Sequence, residues 1–124
     1  MPIVNLTDLT IRLKDEAGNV YKTFEPAERS ITIHARGQEH DVDGVLVNVT
    51  VVTGVDGLPE PAEGTFYIVP QPVAYTHNRA DFVTPDTGPT ATLDEQQRVY
   101  AVRRLYSVSL EGASEPGAAP AGLA

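Results

Sequence analysis

A chain of 124 residues, 41% hydrophobic and without Cys, is long enough for one domain with its own core and needs no disulfide or thiolate-bound metal to hold it. With 17 Asp and Glu against 9 Lys and Arg, the net charge of −8 opposes non-specific binding to nucleic acid. No segment approaches the ~20 apolar residues of a membrane span, and the opening MPIVNLTDLT lacks the basic and apolar regions of a secretory leader, so the expected compartment is the cytoplasm.

In chain order the pattern predicts strands. Residues 3–13 end in alternation, with Leu9, Ile11 and Leu13 on one face and Thr10 and Arg12 on the other, the mark of a half-buried strand. Asp15 to Asn19 supply turn chemistry and Val20 to Glu25 form the returning strand, giving the clearest hairpin. Ser30 to Ala35 alternate with Ile31 and Ile33 inward, 37–44 read as a polar loop or tip, and Val45 to Thr53 read as a core strand pairing back. Residues 54–64, rich in Gly and Pro, form a connector. Thr65 to Val69 form a short strand buried on both faces, and 71–78 a short helix opened by Pro70 and Pro72. Residues 79–90 read as an ordered surface loop. Ala91 to Leu93 and Arg98 to Leu105 form a last hairpin around 94–97. The Ala/Gly/Pro-rich end, 111–124, is expected to be a disordered tail. The expected fold is all-β or β-rich α+β: a small antiparallel sheet or barrel-like single domain over 1–110, with about six to eight strands.

The catalytic motifs are few. Asp86-Thr87-Gly88 matches the short aspartic-protease signature, in which two aspartates share a proton. Flanking prolines and the lack of a matching second half make it an ordinary Asp-Thr-Gly turn. His40 stands among Glu39, Asp41 and Asp43 at no spacing used by a known metal motif. His34, in phase with Thr32, is expected to face solvent. No serine elbow, P-loop or dinucleotide loop is present, so no enzyme activity, cofactor or metal is assigned. Asn5-Leu6-Thr7 and Asn48-Val49-Thr50 are sequons only by pattern.

The segment 75–81 concentrates groups that stack and donate. Tyr75 and His77 offer flat faces, Asn78 an amide, and Arg79 a planar fork of donors beside Asp81. Arg103 and Arg104 follow on the last predicted strand, pointing to opposite faces. These seven residues form the expected surface for a small anionic ligand. The competing role is an ion pair of Arg79 with Asp81 or Asp86 that only fixes the loop.

Several stretches occur together in one order: Val4-Asn5-Leu6-Thr7; Thr23-Phe24-Glu25-Pro26; Gly57-Leu58-Pro59-Glu60-Pro61-Ala62-Glu63-Gly64-Thr65-Phe66-Tyr67-Ile68-Val69; Val73-Ala74; Arg79 with Asp81; Pro85 to Ala91; Asp94-Glu95; and Ala101 to Leu105. In this the chain resembles a family of small proteins of tailed phages and prophages, over roughly residues 3–106. The block LPEPAEGTFYIV is the specific part, and Asp8-Leu9 stand where related chains often have Pro-His. The resemblance implies phage or prophage origin and carries no activity with it. The expected function is a non-enzymatic accessory protein that holds a small anionic, nucleotide-like ligand, as anti-defence proteins do, or a host protein. The alternative is a virion component, a capsid decoration or tail-associated β-domain. A homo-oligomer is compatible with either.

Overall fold

The computed structural model describes residues 2–29 and 31–110; the tail expected over 111–124 lies outside them. The segment Phe66 to Pro85 is the centre of the fold. There β6 (Phe66–Ile68) leads through α1 (Gln71–Thr76) to β7 (Phe82–Pro85), parallel to β6. On the far side of β6 lies β1 (Ile3–Asn5), also parallel, and β7 takes β10 (Leu105–Tyr106) antiparallel, so the sheet order is β1-β6-β7-β10. Three hairpins surround this sheet: β2 (Ile11–Lys14) with β3 (Val20–Phe24), β4 (Thr32–Val42) with β5 (Val45–Asp56), and β8 (Thr92–Leu93) with β9 (Val99–Ala101). The chain is strand-rich with one short helix, as its β-branched runs predict.

Alternation along β6 and β7 divides the core. Tyr67, Val69 and Phe82 turn to the face covered by Val73 and Ala74 of α1, by Leu6, and by Ile31, Ile33 and Val55 at the foot of β4–β5. Ile68 and Val83 turn to the other face, against Ile11, Phe24 and Leu105. Tyr67 meets Phe82 edge to face, with centroids 6.3 Å apart. Ile68, Val69, Val73 and Phe82 are fully buried, each contributing about 1.5–3 kcal/mol of transfer free energy. Helix α1 starts where expected: Pro70 is its extended N-cap, Pro72 falls in the first turn where no N–H is needed, and the Val73 and Ala74 amides donate to the Pro70 carbonyl at 2.9 and 3.1 Å.

The single strand expected over 3–13 is broken by Asn5. Its buried side-chain amide donates to the carbonyls of Leu9 (2.7 Å) and Phe24 (3.0 Å), and its Oδ1 accepts from the Thr7 amide and hydroxyl (3.0 and 2.6 Å). This Asx turn bends the chain out of the central sheet and leaves Leu9 exposed rather than inward. Asn5 of the first sequon is therefore wholly committed inside the fold.

Other expectations are settled or corrected by the structure. Of the two readings of 37–44, the hairpin tip is the one that forms: β4 continues to Val42 and returns through a two-residue turn in which Asp43 and Gly44 have φ of 52° and 82°, the Asp-Gly hairpin geometry. Residues 45–53 are not a core strand: β5 has only β4 as partner, and Val45 to Thr50 are exposed. Its alternation is real, but nothing among the described residues covers Val45 to Thr50. The connector begins later than residue 54, because β5 runs to Asp56. Finally, 79–90 contain the buried strand β7, and the run expected over 98–105 breaks at Val102–Arg104, so Arg103 and Arg104 lie between strands rather than on one.

Candidate ligand-binding groove

The seven residues expected to share a ligand surface are distributed among several internal contacts. Arg79 stands over Phe82, its Cζ 3.9 Å from the ring centroid. Its Nε and Nη2 donate to the two oxygens of Asp81 at 3.0 and 2.6 Å, and Nη1 donates to the Pro59 carbonyl at 2.7 Å. The planar fork is thus occupied by a buried carboxylate and by the LPEP segment, which the Tyr67 hydroxyl also pins by donating to Glu60 O at 3.3 Å. His77 packs on the same Phe82 ring at 6.0 Å and directs Nδ1 to the Val73 carbonyl at 3.0 Å. Asn78 accepts the Leu110 amide. Arg103 reaches back to donate to the Lys14 carbonyl at 2.8 Å.

Tyr75 and Arg104 belong to a different cluster. The exposed Tyr75 hydroxyl shares a short hydrogen bond with that of Tyr106, which also accepts from Gln71 Nε2 at 3.2 Å. That bond, then burial, then the charges of Tyr106 and Asp86 hold the Tyr75 phenol above its ordinary pKa. Arg104 Nε lies 3.7 Å from Asp86 Oδ2, while Asp86 Oδ1 accepts the Gly88 amide at 3.1 Å. Asp86-Thr87-Gly88 is the Asx turn expected. His34 is likewise on the surface, 2.7 Å from Asp56.

A groove that the sequence does not announce lies elsewhere, where β2 meets β9. The Val102 amide donates to Arg12 O (2.8 Å) and the Lys14 amide to Val102 O (2.9 Å), bringing Leu13 beside Val102 in a parallel bridge. Ile11, Leu13, Ala101 and Val102 are buried, so the intervening Arg12 and Tyr100 turn outward. Together with Leu9, Pro85, Thr87, Asp94, Arg98 and Val99 they line an open groove of about 590 Å³, a size that suits a small molecule. Its walls are mainly apolar, with Leu9, Val99 and Tyr100 all exposed.

Two guanidiniums face this groove. The Arg12 Cζ stands 4.5 Å over the Tyr100 ring, a cation–π stack. Among the described residues the guanidinium makes one hydrogen bond, a long 3.5 Å contact from Nη1 to Tyr100 O. Among the described residues no carboxylate lies within 4.0 Å of it. Arg98 lies 3.7 Å from Asp94, which is committed to its own turn. Asp94 Oδ1 accepts the Gln96 and Arg98 amides at 2.8 and 2.9 Å. The Arg98 amide above all holds the Asp94 carboxyl below its ordinary pKa, burial opposing, with Gln96 and the Arg98 charge adding to the fall. The turn needs Gln97 at a φ of 64°.

No protein-family model, curated protein or solved structure matches the chain. Among the described residues no helix is long and apolar enough to cross a membrane.

Proposed function

We propose that the chain is a non-enzymatic, phage-type binding protein whose β2–β9 groove holds a small anion with a flat or apolar body, nucleotide-like in its chemistry. One observation carries this reading: Arg12, stacked on Tyr100 in an apolar groove, has no carboxylate partner among the described residues of a chain whose net charge is −8. A guanidinium so held is pre-oriented, and its free N–H edge suits a phosphate or carboxylate. Leu9, Val99 and the exposed edge of Tyr100 would receive the apolar part of the ligand. The order of the LPEPAEGTFYIV and VRRL stretches supports the phage origin.

The test is calorimetry with adenosine monophosphate, phenyl phosphate and inorganic phosphate. The two aromatic anions should bind more tightly than phosphate alone. Arg12→Gln should cost about 1.5–3 kcal/mol of that affinity, the worth of a charged hydrogen bond. Absence of binding by either aromatic anion, or binding indifferent to Arg12→Gln, would end this reading.

A second reading, a virion-associated domain that works by protein contact, is favoured by one separate feature: the exposed valines of β5. Co-purification of the chain with intact particles, and its loss on shortening β4–β5, would favour that reading.

A further inference from the structure

We propose that the β4–β5 hairpin is a dimerisation arm whose valine face closes against the same face of a second copy, antiparallel, about a two-fold axis. Among the described residues only its foot is held, by Ile33 and Val55 packing on the core. A two-stranded ribbon exposed on both faces is marginal in water on its own.

The register divides the arm into unlike faces. One carries the pairs Arg36↔Val51, Gln38↔Val49, His40↔Val47 and Val42↔Val45; the other carries Gly37↔Thr50, Glu39↔Asn48 and Asp41↔Leu46. Both acidic residues of these pairs thus fall on the second face. On the first, Val42, Val45, Val47 and Val49 stand 52%, 60%, 39% and 39% exposed. A patch of β-branched side chains on an unpaired ribbon is a surface that folded proteins cover.

The pattern of this face selects its occupant. Its four rows follow at two-residue steps, about 20 Å from first to last at ~3.3 Å per residue. A two-fold axis between the Gln38↔Val49 and His40↔Val47 rows maps the set onto itself. Val47 then meets the partner's Val49, and Arg36 at the foot meets the partner's Val42↔Val45 row, beside the partner's Asp43 in the tip turn. Arg36 has no carboxylate within 4.0 Å among the described residues of its own chain. The opposite charges at the two ends are therefore complementary only in the antiparallel arrangement. Isologous pairing of this kind is the commonest route to a homodimer. Two such faces, closed at the ~10 Å spacing of packed sheets, bury on the order of 1,000 Å², the lower bound for a specific interface. The arm lies outside the β2–β9 groove, so dimerisation does not depend on the ligand reading.

The full chain should sediment as a dimer at tens of micromolar. Val47→Glu, at a site exposed in the single chain, should raise the dimer dissociation constant about a hundredfold, the consequence of burying a carboxylate without a partner. Circular dichroism and melting of the monomeric state should not change. Arg36→Glu and Asp43→Lys should each weaken the dimer about tenfold, and the two together should restore most of the loss. A wild-type monomer at these concentrations, a dimer untouched by Val47→Glu, or a charge swap without recovery would each overturn the proposal. So would a monomer whose arm is covered only by a different polypeptide.

Discussion

The Arg79 guanidinium and the Asp81 carboxylate meet through two parallel hydrogen bonds, of 3.0 and 2.6 Å, with side chains only 19% and 3% exposed. This fork-to-fork pair sits on the Phe82 ring and joins β7 to the Pro59 carbonyl. Its strength comes from geometry and desolvation, which exposed ion pairs lack.

Arg79→Ala should therefore destabilise the fold by about 3–5 kcal/mol, because it leaves the Asp81 carboxylate buried without compensation. Arg79→Met combined with Asp81→Leu should cost clearly less than Arg79→Ala. Urea unfolding of the three proteins decides it. Equal stability of Arg79→Ala and wild type would mean that the pair does not hold the loop.

The Tyr75–Tyr106 pair predicts an alkaline response. Tyr75 is held above the ordinary phenol value of 10.0, first by its hydrogen bond to Tyr106. A folded-state pKa above the unfolded one means that the contribution is complete below pH 10.0 and is lost as pH rises through the folded value. Carbon-detected NMR of ring-labelled tyrosine should show Tyr75 titrating late, and Tyr106→Phe should bring it back down. A Tyr75 titration indifferent to Tyr106 would remove the link.

Asp94 predicts the mirror response in acid. Its carboxyl is held below 3.8, foremost by the Arg98 amide. The folded pKa lies below the unfolded one, so the stabilisation is present above 3.8 and is lost as pH falls through the folded value. Asp94→Ala should speed hydrogen exchange at the Gln96 and Arg98 amides, while β6 and β7 keep their protection. Unchanged exchange at both amides would show that the turn stands without its carboxylate.

Gly44 has a φ of 82° at the tip of the arm, with open space where a Cβ would stand. The obstacle to substitution is thus backbone conformation and not crowding. Gly44→Val should cost about 1–2 kcal/mol, confined to exchange protection in β4 and β5. Gly44→Asn, which tolerates the left-handed region, should cost markedly less. A global loss of stability from Gly44→Val would show that the arm and the core unfold together.

What sequence pattern reveals here follows interaction range. The β2–β3 hairpin, the buried TFYIV strand and the Pro-opened helix rest on neighbours a few residues apart, and all three form, although the first strand of the hairpin begins only at Ile11 and the helix ends at Thr76 rather than 78. The valine run of 45–52 has the same alternation as a core strand, and period alone does not say whether a second layer covers it. The Asp43-Gly44 turn lies inside a polar stretch whose composition fits a loop as well as a hairpin tip. The Arg79–Asp81 pair could be read as an alternative from its spacing. Arg12 and Tyr100 could not be joined by any local rule, because they stand 88 residues apart in the chain and are brought together beside the long-range Leu13–Val102 bridge.

The parallel pairing of Ile3 with Phe66 also sets an order of events during synthesis. β1 leaves the ribosome before β6, and until β6 follows it has only the bridge of Asn5 to Pro26 and no neighbour in the central sheet. The β4–β5 hairpin, closed by a two-residue turn, pairs early and locally, whereas the central sheet must close a long loop before any contact rewards it. Completion waits for β10, which pairs with β7 near the end of the described chain. A nascent chain halted before Phe82 therefore has the local turn of the arm but lacks the complete core on which Ile33 and Val55 at its foot pack.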